Sequence, residues 1–476
     1  MKVCVLQADY STTSVDYKNY DPPRDLLALL QEHEVDHIFL NKLTTYKQLQ
    51  NLAKKNYDIY VNLCEGYLDW EVPSIDVIHS LELLNLPYTG PTALLYDPSK
   101  ILMKYVAHCA GVHTPNYFIV NNVEDIVQKE LPIKFPMFVK PSKAGDSLGI
   151  DDASLVYDRK SLVKKINQLI PFYNDIMVEE YIAGKEFTVL VAADPFDADK
   201  PTCFQPIEYI FPAGKEFKTY SLKTSDLHTE ANIPCKDPDL DHLLRKHASS
   251  IFKGFNGLGY ARLDFRVNDK NEIYFLEINF TCSVFYKDGY EGSADYVLKH
   301  DPQGQKGFLM QIIEEGIQRH RKKQKKYRLL RNSINGYGIY ANHDLRQGDI
   351  IFEGEGKSQR IISRKFVENN WTDEAKQVFK NYAYPISQEV YILWDTDAKE
   401  WAPQNHSCNP NCHYEGLNVI ASRTISEGEE LSLDYALLLD QYAESFNCTC
   451  GANNCRGVIR GSSQNSISTK LAINHK

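Results

Sequence analysis

Short apolar runs bounded by polar residues open the chain. Residues 3–6 (VCVL), 36–41 (DHIFLN) and 57–63 (YDIYVNL) read as buried strands. Between and after them, residues 24–32 have helical spacing and residues 74–84 are amphipathic. Strands alternating with helices predict a mostly parallel, open α/β sheet. The polar loop Cys64-Glu65-Gly66 follows a strand, where such sheets bind ligands. Further on, residues 97–111 read as a helix starting near Pro98, residues 239–254 as an amphipathic helix and residues 308–317 as helical. Residues 137–140 read as a strand. Residues 176–193 read as a strand, a turn at Ala183-Gly184 and a second strand. Past Ser333, short strands and glycine turns predict an irregular β fold.

The most informative pattern is YARLDFRVNDKNEIYFLEIN, residues 260–279. Two runs rich in β-branched and aromatic residues flank the turn formers Asn268-Asp269-Lys270-Asn271, which predicts a hairpin. Alternation puts Arg262 and Asp264 on one face, and Glu277 with Asn279 on one face. A closure on Lys270-Asn271 sets Asp264 opposite Glu277 and Arg262 opposite Asn279. Two carboxylates, an amide oxygen and a guanidinium then converge, a donor set suited to Mg²⁺ bound with phosphate. A solvent face carrying a cross-strand ion pair fits the same residues.

Composition narrows the class. The chain has 476 residues, which predicts two to four domains. A formal net charge of −10 argues against a general nucleic-acid binder. No run of 18 apolar residues and no signal peptide is visible, so a cytoplasmic protein without a membrane span is expected. Of 11 cysteines, six are scattered singly and five cluster at Cys408, Cys412, Cys448, Cys450 and Cys455. The C-x-C-x₄-C spacing supplies three thiolates in one loop. Tetrahedral zinc takes four ligands, and Cys408 is the fourth, with Cys412 a spare or an alternative. His406 is read as a hydrogen-bonding residue rather than a ligand.

Lys140 ends a strand and opens a small polar loop with Gly145, Ser147 and Gly149, a pattern compatible with a phosphate cradle. Lys100 and Lys104 share a helix face. The ordered set VNLCEG, LPYTGPTALLYDPSKILMK, AGVHTP, FPMFVKPSKAGDSLGI, VEEYIAGKEFTV, YARLDF and FLEIN resembles the D-alanine–D-alanine ligase-like branch of the ATP-grasp superfamily. The resemblance implies ATP held between two α+β lobes. Lys104 and Lys140 would contact the phosphates, with Ser147 in the phosphate loop and Lys223 near the γ-phosphate. Glu179, Tyr181 and Ile182 would line the adenine site and Glu186 the ribose. Asp264, Glu277 and Asn279 would bind Mg²⁺, and Arg262 would stabilise the oxyanion of the tetrahedral intermediate. Two departures stand out. The family's Pro-Gly turn after the last metal ligand is here Phe280-Thr281-Cys282-Ser283. The family's N-terminal glycine-rich loop with its ammonium-binding glutamate is here LQADYSTTSVDYKNY. The nucleotide half matches and the substrate half differs, so a carboxylate–amine ligase acting on small-molecule amino acids or peptides is expected, rather than D-alanyl-D-alanine synthesis.

NHSCNPN, GEELSLDY and the cysteine loop, in that order, resemble the SET-domain protein-lysine methyltransferases with a post-SET zinc loop. The resemblance implies S-adenosylmethionine packed against Gly336, Tyr337, Gly338, Asn405 and His406, with Tyr435 the main active-site tyrosine. Tyr382, Tyr384 and Tyr391 are candidate walls of a lysine channel, although any one such tyrosine is more often core. The family's Arg-Phe or Arg-Tyr before Asn-His is here Ala402-Pro403-Gln404.

The expected architecture is an α/β ATP-grasp enzyme, with an open parallel N-terminal sheet and two α+β lobes, followed by a mostly β SET domain with a zinc-binding post-SET loop. The expected boundaries are 1–95 for the N-terminal subdomain and 96–318 for the ATP-grasp domain. A basic helical linker is expected at 319–332, then the SET domain at 333–445, the zinc loop at 446–461 and a tail at 462–476. The expected activity is a carboxylate–amine ligase using ATP and Mg²⁺, fused to a methyltransferase using S-adenosylmethionine. An alternative has a protein-lysine methyltransferase whose ATP-grasp half only binds nucleotide or positions a partner.

Overall fold

The computed structural model describes residues 1–11, 13, 21–66, 70–127, 130–143, 148–212, 214, 216–217, 231–332, 336–354, 359–387, 389–394 and 404–462. The chain divides into two compact units, Met1–Lys323 and Gln324–Lys476.

The first unit begins with a three-stranded parallel sheet in the order Glu34–Leu40, Lys2–Ala8, Ile59–Asn62. Alternation along Lys2–Ala8 sends Val3 and Val5 to one face, against Phe308, Leu309, Ile312 and Ile313 of the helix Gly304–Lys323. Cys4 and Leu6 face the helices Thr45–Ala53 and Ile75–Leu83. Both faces are covered, which is why the apolar run is continuous. Residues 24–32, whose spacing predicts a helix, form turns instead. Side chains take the donors a helix would use: Arg24 N–H donates to Gln7 Oε1 at 2.7 Å, and Leu26 N–H to His37 Nε2 at 3.1 Å.

Two antiparallel sheets follow. One runs Tyr117–Val120, Ile176–Glu180, Met137–Pro141, Leu155–Val156. The other runs Asn232–Pro234, Ile207–Tyr209, Lys185–Ala192, Tyr260–Val267, Ile273–Asn279, with Thr202–Cys203 also on Lys185–Ala192. The two strands read at 176–193 therefore belong to different sheets, and residues 181–184 bridge the lobes. Gly184 is required there: its φ is +137°, and a Cβ would sit 2.1 Å from the Val267 carbonyl oxygen.

The hairpin keeps its expected pairing by a compensation. Val267 pairs with Ile273, so the loop is longer than a closure on Lys270-Asn271. A register shift after Asp264 takes up the extra residue, and Asp264 still faces Glu277 while Arg262 faces Asn279.

The basic run is helical only in its first part. The helix ends at Lys323, and Tyr327–Asn332 is a strand paired with Gly336–Ala341. Arg319 is buried, donating to the carbonyls of Gly90 at 2.9 Å and Tyr88 at 2.6 Å and lying 3.4 Å from Glu315. The other charges of the run stay at the surface: Arg321, Lys322, Lys323, Lys325, Arg328 and Arg331 are exposed.

The second unit is built of small sheets. The strand Asn418–Ala421 lies between Ile350–Phe352 and Cys412–Glu415, and Val390–Trp394 lies between Gln359–Ser363 and Tyr384–Pro385. Asn405–His406 pairs parallel with Ser432–Leu433. Val367 and Phe379, from the helices Arg364–Asn370 and Asp373–Tyr382, form a separate small core with Tyr391 of the strand Val390–Trp394. Among the described residues no helix is long and apolar enough to cross a membrane.

Candidate functional site

A cleft of about 700 Å³ lies between the two antiparallel sheets of the first unit. Lys140 and Glu179 enter it from one sheet, Glu186, Asp264, Arg266 and Glu277 from the other, and Tyr181 and Ile182 from the bridge between them. Seven residues predicted from sequence thus meet in one place. Ser147 and Lys223, and with them Gly145 and Lys218, lie outside the described residues.

Glu179 is the electrostatic centre of one wall. Lys104, on the helix Lys100–Cys109, approaches Glu179 Oε2 at 2.9 Å, and Lys140 pairs with Oε1. All three are buried. Burial pushes the Glu179 carboxyl up, but Lys104 and Lys140 together bring it down to about 2. Burial also draws Lys104 below the ordinary lysine range, against the pull of Glu179. On the facing wall Arg262 donates to both oxygens of Asp264, at 3.2 and 3.1 Å, and Thr188 Oγ1 donates to Asp264 Oδ1 at 2.7 Å. Lys100 Nζ stands 3.8 Å from Glu277 Oε2. The facing carboxylates of Asp264 and Glu277 are hard oxygen donors beside lysines, a set that fits a magnesium ion shared with phosphate. Asn279 is turned aside: its Oδ1 accepts from Thr281 N–H at 2.9 Å and Thr281 Oγ1 at 3.3 Å.

Arg266 was missed in the sequence. It donates to Tyr181 OH at 3.3 Å, Ile182 O at 3.3 Å and Glu186 Oε2 at 3.2 Å, and so fixes the bridge to the sheet. Its signal was the strand period: positions 262, 264 and 266 share a face. Phe138 was missed as well; its ring stacks on Tyr181 with centroids 6.5 Å apart.

At the C-terminal ends of the parallel strands a polar network forms around Arg24. Its guanidinium donates to Glu65 at 2.6 Å, Asp21 at 3.0 Å and the Leu63 carbonyl at 2.8 Å. Ser283, from the altered turn after the hairpin, donates to Glu65, and Tyr286 OH donates to Asp21 at 2.6 Å. Burial raises the Glu65 carboxyl to about 7 against the opposing pull of Arg24. A second cavity beside it is lined by Asp9, Tyr10, Asp21, Arg24 and Phe39.

In the second unit Asn405 Nδ2 donates to the Tyr337 carbonyl at 2.8 Å and to Glu430 Oε1 at 2.8 Å. A Cβ on Gly338 would lie 2.4 Å from Glu430 Oε1, so a side chain there would displace that carboxylate. Gly336 continues the same strand. Tyr435 N–H donates to His406 Nδ1 at 3.1 Å, and Tyr435 OH donates to the Gln404 carbonyl at 2.5 Å. With Nδ1 accepting, the proton of neutral His406 belongs on Nε2, which lies 3.4 Å from Cys408 Sγ. Burial lowers the His406 pKa, consistent with the neutral ring. Burial raises the Tyr435 hydroxyl to about 12. Of the candidate channel tyrosines, Tyr384 packs at a tilt against Tyr414, centroids 4.9 Å apart, whereas Tyr391 packs on Phe379 and donates to Asp440. Tyr414 was not singled out in the sequence. Ala402 and Pro403 lie outside the described residues.

The sulfurs of Cys408, Cys448, Cys450 and Cys455 all lie within 4.8 Å of one another, and those of Cys408 and Cys448 are 3.8 Å apart. Sulfurs about 2.3 Å from a tetrahedral centre are separated by roughly that distance, so the group fits zinc. Cys412 is not part of it; it is buried in the core with its sulfur on Asn411.

The family model of the D-ala D-ala ligase C-terminus matches residues 107–284, and that of the SET domain matches residues 336–436. The D-alanine–D-alanine ligase of Bacillus cytotoxicus is 30% identical over 257 residues, covering 52% of this chain and 67% of that protein. D-alanine–D-alanine ligase B of Clostridium tetani is 31% identical over 229 residues, covering 45% and 61%. The D-alanine–D-alanine ligase of Lactococcus lactis is 30% identical over 206 residues, covering 42% and 57%. The chain therefore spans between 57% and 67% of the length of these relatives. Among solved structures, the D-alanine–D-alanine ligase of Coxiella burnetii aligns with 68% of this chain and 96% of its own at 19% identity and a TM-score of 0.49. The chain belongs to the D-alanine–D-alanine ligase family, and to that ligase-like part it adds a SET domain.

Proposed function

We propose that the chain is an ATP-dependent carboxylate–amine ligase joined to an S-adenosylmethionine-dependent N-methyltransferase. The observation that carries the ligase reading is the meeting of Lys140 and Glu179 from one lobe with Asp264 and Glu277 from the other in one cleft. The apolar slot of Phe138, Ile150, Ile182 and Leu276 suits a planar base, and Glu186, held by Arg266, suits a ribose. Lys104 and Lys140 hold the phosphates. Asp264 and Glu277 would hold a magnesium ion, which would supply charge neutralisation along the phosphates, whereas Asn279 Oδ1 is taken by Thr281. A substrate carboxylate attacks the γ-phosphorus, the bond to the β,γ-bridging oxygen breaks, and ADP leaves as the acyl phosphate forms. An amine then displaces phosphate and forms the amide, and Arg262 faces the charge that builds on the tetrahedral oxygen. Positioning does most of the work, because the first step moves no proton.

In the second unit the methyl transfer is an in-line displacement, so alignment and a neutral amine are its requirements. Tyr435, protonated at neutral pH, orients the amine, and burial favours loss of the amine's proton. The zinc loop is structural. Substrates are an amino acid or peptide for the ligase and an amine, or the lysine of a protein, for the methyltransferase.

The test is an ADP-release screen over amino acids, each with and without the methyl donor and followed by mass spectrometry. Amino-acid-dependent ADP release that disappears in Asp264→Ala is expected, with methylation that disappears in Tyr435→Phe. Methylation with no amino-acid- or peptide-dependent ADP release would leave the nucleotide half as a binding module and overturn the ligase reading.

A further inference from the structure

Forming the acyl phosphate moves no proton, but the second step does. An amine substrate arrives as an ammonium, and only its neutral form has a lone pair to attack with. The carboxylates facing phosphate and metal are each engaged by cations: Glu179 by Lys104 and Lys140, Asp264 by Arg262, and Glu277 by Lys100 at 3.8 Å. Glu65 is placed differently. In the network around Arg24 it is the more accessible carboxylate, its side chain 16% exposed against 9% for Asp21. Its Oε1 holds Arg24 at 2.6 Å, and its Oε2 accepts from Ser283 Oγ. Two short paths lead from it to the reacting end of the cleft. Ser283 follows Asn279 in the turn that departs from the family's, and the charges of Arg262 and Glu65 both act on the buried thiol of its neighbour Cys282. On the other side the Gly66 carbonyl accepts from Tyr96 OH at 2.6 Å, and the next residue, Asp97, feels both Lys100 and Glu277. The course of the turn is imposed: Phe285 is held at φ +69°, where a bulky side chain is strained, and strain of this kind collects at functional sites. Burial, working against Arg24, brings the Glu65 carboxyl to about 7, where it takes up and releases a proton with equal ease at neutral pH.

We propose that Glu65, acting through the Ser283 hydroxyl, is the general base that takes the proton of the attacking amine. This rests on the ligase reading and assigns the residue that its second step requires. An ammonium proton passes to Ser283 Oγ as the Ser283 proton passes to Glu65 Oε2. The freed lone pair forms the C–N bond, and the bond from the acyl carbon to the phosphate oxygen breaks. The second proton lost by the nitrogen leaves with inorganic phosphate.

The test gives the full chain ATP, Mg²⁺ and a mixture of the common amino acids, and reads amide products by mass spectrometry. A parallel reaction adds hydroxylamine and reads hydroxamates. Hydroxylamine is uncharged at neutral pH, so it captures the acyl phosphate without a base to prepare it. Wild type is expected to form both products. Glu65→Gln and Ser283→Ala are each expected to slow amide formation at least about 100-fold more than hydroxamate formation, the low end of what a positioned base contributes. Glu65→Asp, which keeps a carboxylate, should recover part of the difference. Melting curves show which variants fold, and Ser283→Ala decides alone if Glu65→Gln does not. If the variants slow both products equally, or slow neither, the proposal is wrong while wild-type hydroxamate keeps the ligase reading. A selective loss in Glu65→Gln that Ser283→Ala does not share would overturn the relay. If wild type forms neither product, the ligase reading fails and the proposal with it.

Discussion

Glu179 carries two lysines, and its removal strands both. Replacing one member of a buried ionic group costs about 3–5 kcal/mol, because the partners remain buried and uncompensated. Glu179→Gln should therefore lower the melting temperature of the ligase-like unit by several degrees and weaken ATP binding. The pH dependence has a definite sign. The folded carboxyl titrates near 2, below its ordinary 4.5. Its contribution is fully present above about pH 4.5 and is lost as the pH falls toward 2, on the order of 3 kcal/mol in all. Denaturant unfolding of wild type and Glu179→Gln between pH 7 and pH 3 checks this. The gap between them should narrow as the medium is acidified, and a gap independent of pH would contradict the assignment. At this scale the sequence was legible where chemistry and spacing agree, as for Asp264, Glu277 and the four cysteines. It was opaque where a role depends on a remote partner. Asp21 lies three residues before Arg24, but nothing beside Arg24 in the chain announces Glu65, which arrives from a loop after another strand. Arg266 is readable from its strand, since it shares a face with Arg262 and Asp264.

The elements were legible as strands and helices more readily than as sheets. Residues 176–193 look like a hairpin because two apolar runs flank Ala183-Gly184. The backbone nevertheless crosses from one lobe to the other there, and only the long-range partners of each strand decide it. Likewise the charges of 327–332 hid a strand paired with Gly336–Ala341. The bridge yields its own prediction. Gly184→Ala forces a side chain into a positive-φ position and against the Val267 carbonyl. A cost of about 2–4 kcal/mol is expected, by the usual penalties for backbone strain and overpacking. Because Ile182 and Gly184 carbonyls both accept from Arg266, the strain reaches the nucleotide slot. Isothermal titration should show weaker ATP binding for Gly184→Ala than for Gly214→Ala. Gly214 also has a positive φ, but a Cβ there meets nothing. Equal losses in the two variants would show that backbone conformation alone, and not the bridge contact, sets the effect.

At the scale of the molecule, the order of motifs told more than any one of them, because two separate sites each need a full set. The described apolar clusters follow the same division. Those built on Val3, Val191, Leu49 and Ile166 lie within Met1–Lys323, and those built on Ile339 and Phe379 lie within Gln324–Lys476. Units with cores of their own melt as separate transitions. The four-cysteine group belongs only to the second, where Cys408 N–H and Arg456 N–H are bonded to the sulfurs of Cys450 and Cys408 at 3.4 Å. A structural zinc contributes on the order of 10 kcal/mol of apparent folding free energy, so its removal should reach one transition and spare the other. Calorimetry of the full chain should show two transitions. A zinc chelator, or Cys450→Ser, should lower only one of them and abolish methyl transfer, because His406 and Tyr435 are tied to the same cysteine loop through Cys408. Amino-acid-dependent ADP release should persist unchanged under the same treatment. Loss of both activities together on chelation would mean that the ligase depends on the folded SET domain, and the chain would then have to be treated as one cooperative enzyme.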